Sequence, residues 1–166
     1  MSDTYVECLV KAKSSVFGNF LKVVLIAITI ILGFMGLGLG ILIALIPAII
    51  TGVGAYFAYY NADVEYEYLY LDRELVIDKV MAKSKRKRLA TYSVERIEAL
   101  APIHSYHLDN YKNREVKVLD FSIGEELKPD LRYAMFYEGG LKIILSPSPE
   151  LVKAVKSVAP RKVFTD

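Results

Sequence analysis

Residues 23–62 read VVLIAITIILGFMGLGLGILIALIPAIITGVGAYFAYYNA, with no Asp, Glu, Lys, Arg or His between Lys22 and Asp63. A single membrane span takes about 20 apolar residues, so a stretch of this length predicts two crossings. Gly33, Gly36, Gly38 and Gly40 crowd the middle of an Ile/Leu-rich run, and permissive backbone at that density suits a reversal. The stretch is read as an all-α transmembrane hairpin over 23–62, with helices near residues 20–36 and 40–60. Pro47 is expected to bend the second helix. Ala44, Ala48 and Gly52 recur every four residues, and Thr51 and Ala55 extend a ridge of small side chains on which two helices can approach closely. Gly36 and Gly40 also spell GxxxG, but the turn accounts for them more simply. Tyr56, Phe57, Tyr59 and Tyr60 then make an aromatic belt at headgroup level.

The flanks of the hairpin set its orientation. Lys11, Lys13 and Lys22 precede the first span, and Lys83, Lys85, Arg86, Lys87 and Arg88 follow the second. Positive charge stays on the cytoplasmic side, so the expectation is a multi-pass cell-membrane protein with both termini cytoplasmic. The apolar run starts too late and runs too long for a signal peptide, so the hairpin is expected to be retained. Residues 1–22 are expected to form a cytoplasmic or interfacial helix, begun by Ser2 and Asp3, with Tyr5, Leu9, Val16, Phe17 and Phe20 interspersed with lysines. A frayed lead-in to the first span is the alternative. Cys8 is the one cysteine of the 166 residues, which excludes an intramolecular disulfide and any cysteine metal cluster and fits a reducing compartment.

From Asp63 the period changes to two. Val64, Tyr66, Tyr68 and Tyr70 alternate with Glu65, Glu67, Leu69 and Leu71, the pattern of a strand in both spacing and residue type. Asp72-Arg73-Glu74 reads as a turn, 75–81 as a second strand, 82–87 as a basic turn, 88–92 as a third strand and 97–101 as a fourth. Strands are also expected over 115–122, 131–138 and 141–145, the last two joined by Gly139-Gly140. Ser148-Pro149-Glu150 combines an N-cap hydroxyl, a proline at the first helical position and an acid at the positive end of the dipole. The helix that follows sets Leu151, Val152, Val155 and Val158 against Lys153 and Lys156, and Pro160 ends it.

An antiparallel meander of seven strands capped by one amphipathic helix resembles a pleckstrin-homology-like (PH-like) domain, an α+β fold whose helix plugs a bent, partly open barrel. The likeness covers residues 63–160 and rests on element order, on Tyr92-Ser-Val-Glu-Arg-Ile-Glu-Ala-Leu100, and on Gly139-Gly140. More closely, the chain resembles an uncharacterised family of small bacterial two-span membrane proteins with such a domain, which share the Lys-Arg-Lys-Arg run and the Tyr-Ser-Val-Glu after it. That resemblance implies a cytoplasmic PH-like domain over 63–166 and assigns no activity.

Lys83, Lys85, Arg86, Lys87 and Arg88 are the leading candidate contact residues. A meander returns the second strand toward the membrane and puts the 82–87 turn beside the bilayer, where each cation contributes about 1 kcal/mol against anionic lipid. The plainer readings are a solvated turn or a topology signal. The run is too short, and lacks the companion basic face, for nucleic acid. Domains of the PH class that recognise phosphoinositides carry basic residues around the first strand pair. Here Asp72-Arg73-Glu74 occupies that turn, so the resemblance implies protein binding or assembly, and no small molecule or cofactor is expected. His104 and His107 stand i, i+3 beside Asp109, too thin a set to predict a metal. No nucleophile elbow, HExxH, phosphate loop or CxxC occurs, so an enzyme is not expected. The leading reading is a membrane-anchored module that recruits or organises protein partners, or copies of itself, at the inner face. The alternatives are an accessory subunit of a transporter or envelope complex, packed through the small-residue ridge, and a membrane enzyme using the 102–114 loop.

Overall fold

The computed structural model describes residues 5–12, 16–123 and 130–166. The chain forms two compact units: a sheet unit of residues 1–13, 65–80 and 86–166, and a helical unit of residues 14–64 and 81–85. The sheet unit is thus discontinuous in sequence, with the hairpin inserted into it. This corrects the expected division into consecutive segments 1–22, 23–62 and 63–166.

The origin of the correction is strand β1, Val6–Lys11, where a helix is expected. Val6, Cys8 and Val10 pack on the core while Glu7, Leu9 and Lys11 point outward, the period-2 alternation of a half-buried strand. β1 runs antiparallel to β2, Val64–Leu71, in a register from Val6↔Tyr70 to Lys11↔Glu65. The expected helix start at Ser2 and Asp3 lies outside the described residues.

In the helical unit, α1 spans Val16–Gly33 and tightens into a π-helical turn over Phe34–Gly38. The chain reverses at Gly40, whose φ of +73° favours glycine. A 3₁₀ turn, Leu42–Ala44, leads into α2, Leu45–Ala62. The two apolar segments, Val16–Gly38 and Leu42–Ala62, are 23 and 21 residues long, with mean hydropathies of 2.5 and 1.9. Both are long and apolar enough to cross a membrane, and they leave Phe34, Ile43, Ile46, Ile49 and Ile50 exposed. Pro47, expected to bend the second helix, falls not in the interior of α2 but in its first turn, where its missing N–H has no intrahelical partner to lose. Ala44, Ala48 and Ala55 are buried, a Cβ on Gly52 meets Thr29 Cγ2 at 3.4 Å, and Thr29 donates to Thr51 across the hairpin at 3.0 Å. Gly36 has a packing role that the turn reading misses, since a Cβ there runs into the Leu45 side chain.

In the sheet unit, β3 (Glu74–Met81) and β4 (Lys85–Ser93) complete a first sheet in the order β1-β2-β3-β4. The second sheet holds β5 (Ile97–Pro102), β6 (Lys117–Asp120), β7 (Tyr133–Tyr137) and β8 (Leu141–Leu145) in the order β5-β7-β8-β6. The expected single seven-stranded antiparallel barrel is therefore replaced by two four-stranded sheets. Moreover β6 pairs with β8 in parallel, Lys117↔Leu141 to Asp120↔Ile144. Two hydroxyls tie the sheets together: buried Tyr68 on β2 donates to Phe121 O and accepts from Ser146 N, and Tyr137 on β7 accepts from Ser93 N. Gly139 and Gly140 turn β7 into β8 with φ of +89° and +76°.

Helix α3, Pro149–Val158, begins as its sequence predicts, with Ser148 Oγ accepting from Leu151 N at 3.3 Å. Leu151, Val152, Ala154 and Val155 are buried in a core shared with Tyr68, Ile77, Leu100 and Met135. Beyond it, residues 162–164 run along β5: Leu100 N donates to Lys162 O and Phe164 N to Leu100 O, both at 2.8 Å. The tail thus satisfies backbone groups at an otherwise open strand edge.

Candidate membrane-surface site

The five basic residues separate into two environments. The expected 82–87 turn is shorter: β4 already begins at Lys85, and only 82–84 turn. Lys85, Arg86, Lys87 and Arg88 are exposed on a strand at the edge of the first sheet, where a row of cations discourages pairing with a foreign strand. Nothing in Lys85-Arg86-Lys87 is apolar enough to announce a strand, which is why those three residues read as part of a turn.

Within the helical unit, Lys83 and Lys85 join the end of the hairpin. Ala82 N donates to Asp63 O at 2.9 Å, fastening the turn to the residue that follows α2. Ala82 and Lys83 both have positive φ, 47° and 56°, which costs a non-glycine residue of order 1 kcal/mol each. Lys85 Nζ stands 5.6 Å from the centroid of the Tyr60 ring, and Lys22 Nζ, from α1, stands 5.5 Å from that of Tyr59. Tyr59 and Tyr60 meet edge to face at 6.1 Å, and Tyr60 lies 4.6 Å from Tyr56. The aromatic cluster and three lysines thus share one end of this unit. The part played by Lys22 is absent from the sequence reading, which treats it only as a topology charge.

In the sheet unit, Arg86 and Arg88 are engaged by carboxylates. Arg88 Nε lies 3.4 Å from Asp78 Oδ1, and Arg86 Nη2 lies 3.1 Å from Glu67 Oε1. Glu67 is only 3% exposed, and among the described residues its Oε1 has no hydrogen bond, the Arg86 contact being an ion pair alone. Burial pushes the Glu67 carboxyl above the ordinary carboxylate range, and a hydrogen bond with Glu7 on β1 pushes it further, against the pull of Arg86. Glu7, which also accepts from Tyr5 Oη at 2.8 Å, is lowered by those same hydrogen bonds. The two carboxyls are therefore shifted in opposite directions, Glu67 up and Glu7 down. Glu67 is visible in sequence only as an outward-facing strand residue, because its partner belongs to a strand that the sequence hides.

The histidines do not converge. His104 Nε2 lies 3.1 Å from Asp130 Oδ2; His107 stacks on Phe164 at 3.8 Å, with Nε2 3.6 Å from Asp166 Oδ1. Asp109 instead pairs with Lys112. Much of the 102–114 loop is a 3₁₀ segment, Tyr106–Tyr111, with Leu108 buried and Tyr111 stacked on Phe136. At the β2–β3 turn, Arg73 pairs with Glu95 at 3.0 Å. A cavity of about 500 Å³ opens beside α3, walled by Leu131, Tyr133, Pro149 and Val152 and rimmed by Lys153 and Lys156.

No curated protein and no solved structure matches the chain. A family model does, and it runs from residue 2 to residue 165. That span takes in β1, the hairpin and everything after it, in agreement with a sheet unit that starts before the helices. The chain belongs to the family described as Bacterial PH-like domain (DUF6106).

Proposed function

We propose that the chain is a membrane-anchored binding and assembly module. Its hairpin lies in the cell membrane, and its PH-like domain recruits or organises a protein partner, or further copies of itself, at the cytoplasmic face. The observation that carries the reading is the insertion of two span-length helices between the paired strands β1 and β2. A hairpin that leaves and re-enters one sheet between neighbouring strands returns the chain to the side it left. The sheet unit then lies on one side of the bilayer, together with Lys11, Lys22 and the Lys83–Arg88 run, as the distribution of positive charge requires.

The enzyme alternative would draw on the 102–114 loop, where His104 lies against Asp130, His107 against Asp166 and Asp109 against Lys112. Affinity purification of the full chain from membranes in mild detergent tests the reading. A stoichiometric partner or a defined homo-oligomer is the expected result; a monodisperse monomer without a partner overturns it.

A further inference from the structure

We infer that Lys22, Lys83 and Lys85 form a binding site for the phosphate of an anionic phospholipid headgroup, a deepening that rests on the anchored reading above. Within residues 14–64 and 81–85, the acidic residue is Asp63 and the basic residues are these three lysines. Charge at this end of the unit is therefore positive, at a place where the chain passes from a forty-residue uncharged stretch to a polar one.

The lysines are held rather than merely present. Lys22 and Lys85 rest on the rings of Tyr59 and Tyr60, which are themselves in contact. A cation over a tyrosine face keeps its outward N–H donors available while losing freedom. Lys83 sits at the tip of a turn with positive φ, tied back by the bond from Ala82 N to Asp63 O. Local backbone strain that persists is a pointer to function. Lys22, half-buried among apolar neighbours on α1, is of a length to extend its ammonium toward headgroup level. Tyrosines favour that same level. Arg86 and Arg88 are left out of the site because Glu67 and Asp78 already engage them. The basic run thus divides by chemistry: its first two lysines serve lipid and its arginines serve the sheet.

The test uses the purified full chain in detergent, with native mass spectrometry counting retained dioleoyl phosphatidylglycerol and dioleoyl phosphatidylcholine. Two variants remove the same charge: Lys22→Gln/Lys83→Gln/Lys85→Gln, and Lys112→Gln/Lys117→Gln/Lys153→Gln, whose lysines are exposed on the sheet unit. The site predicts preferential retention of phosphatidylglycerol and an affinity loss of about tenfold or more in the first variant. The second variant is expected to match the wild type, and excess inorganic phosphate to displace little lipid. Equal losses in both variants, no headgroup preference, or full displacement by inorganic phosphate overturns the site. Circular dichroism melting of the first variant must match wild type for its loss to count; should it not, Lys83→Gln alone, on an exposed turn, takes its place and must weaken retention on its own. Carbonate extraction of membranes separates the two levels of the argument. A wild-type chain that stays with the membrane but shows no preference loses only this site, whereas one that is extracted takes the anchored reading with it.

Discussion

Lys11 on β1 stands directly opposite Glu65 on β2, so the point where the chain leaves the sheet unit and the point where it returns are one rung of one ladder. Everything between those residues is an insertion. β1 contributes Val10 to the buried core and packs Val6 and Cys8 against it. It also gives β2 a hydrogen-bonded neighbour on the side away from β3.

A fragment of residues 63–166 is therefore incomplete. It lacks Val10 and leaves one edge of β2 unpaired, a loss of several kcal/mol on the scale of core truncations and exposed strand edges. We expect it to melt without cooperativity or to aggregate. Joining residues 5–12 to Val64 through a short Gly/Ser linker should restore a cooperative, soluble domain, because the register ends at Lys11↔Glu65 and little chain is needed to close it. Thermal melts by circular dichroism decide the matter: equal behaviour of the two fragments means that β1 is dispensable.

Much of this fold is legible from sequence, and what is hidden has a physical cause. The uncharged run of 23–62, the Tyr66-Tyr68-Tyr70 alternation and the Ser148-Pro149 helix start are local signals, each set by neighbours within a few residues. β1 is not, because its partner lies beyond the entire hairpin and its six residues end in Lys11, with Lys13 just beyond, a charge pattern that suits a membrane lead-in equally well. The parallel β6–β8 pair is likewise invisible, since periodicity reports a strand and not its neighbour. For the candidate site, the lysines are evident, but the rings beneath Lys22 and Lys85 and the acids facing Arg86 and Arg88 belong to tertiary structure.

The ladder also fixes an expectation for topology. With Cys8→Ser as background, single cysteines at Leu39, in the reversal of the hairpin, and at Thr165, near the end of the chain, should label oppositely. A membrane-impermeant thiol reagent should reach Leu39→Cys in intact cells and Thr165→Cys only after permeabilisation. Labelling of Thr165→Cys in intact cells would place the sheet unit outside and remove the cytoplasmic reading.

Packing of α3 supplies a contrast between adjacent residues. Val155 has no exposed surface, so Val155→Asp buries a charge in the core and should cost about 3 kcal/mol or more. Lys156 reaches solvent and donates to Thr165 Oγ1 at 3.0 Å, so Lys156→Asp should cost less than about 1 kcal/mol. Equal melting temperatures for the two variants of the linked domain would mean that α3 is not part of its core.

Glu67 gives the fold a pH dependence of unusual sign. Its folded-state pKa is raised, first by burial and then by the hydrogen bond with Glu7. Across the window from the ordinary carboxylate value up to that raised value, the folded domain holds a proton that the unfolded chain releases. This contribution to stability is therefore full at the acid end of the window, falls as pH rises through it and is flat beyond, the reverse of a salt-bridged carboxylate. Glu67→Gln keeps the shape and offers Glu7 a neutral donor. At neutral pH it should stabilise the linked domain by about 1 kcal/mol, the scale of relieving one buried, poorly bonded carboxylate. Arg86 is mostly exposed and loses little when its partner turns neutral. Urea melts at pH 4.5 and pH 7 provide the measurement: the gain of Glu67→Gln over wild type should be larger at pH 7. A gain that is equal at both pH values, or a loss at pH 7, would mean that Glu67 stays ionised throughout and that its pairing with Arg86 outweighs burial.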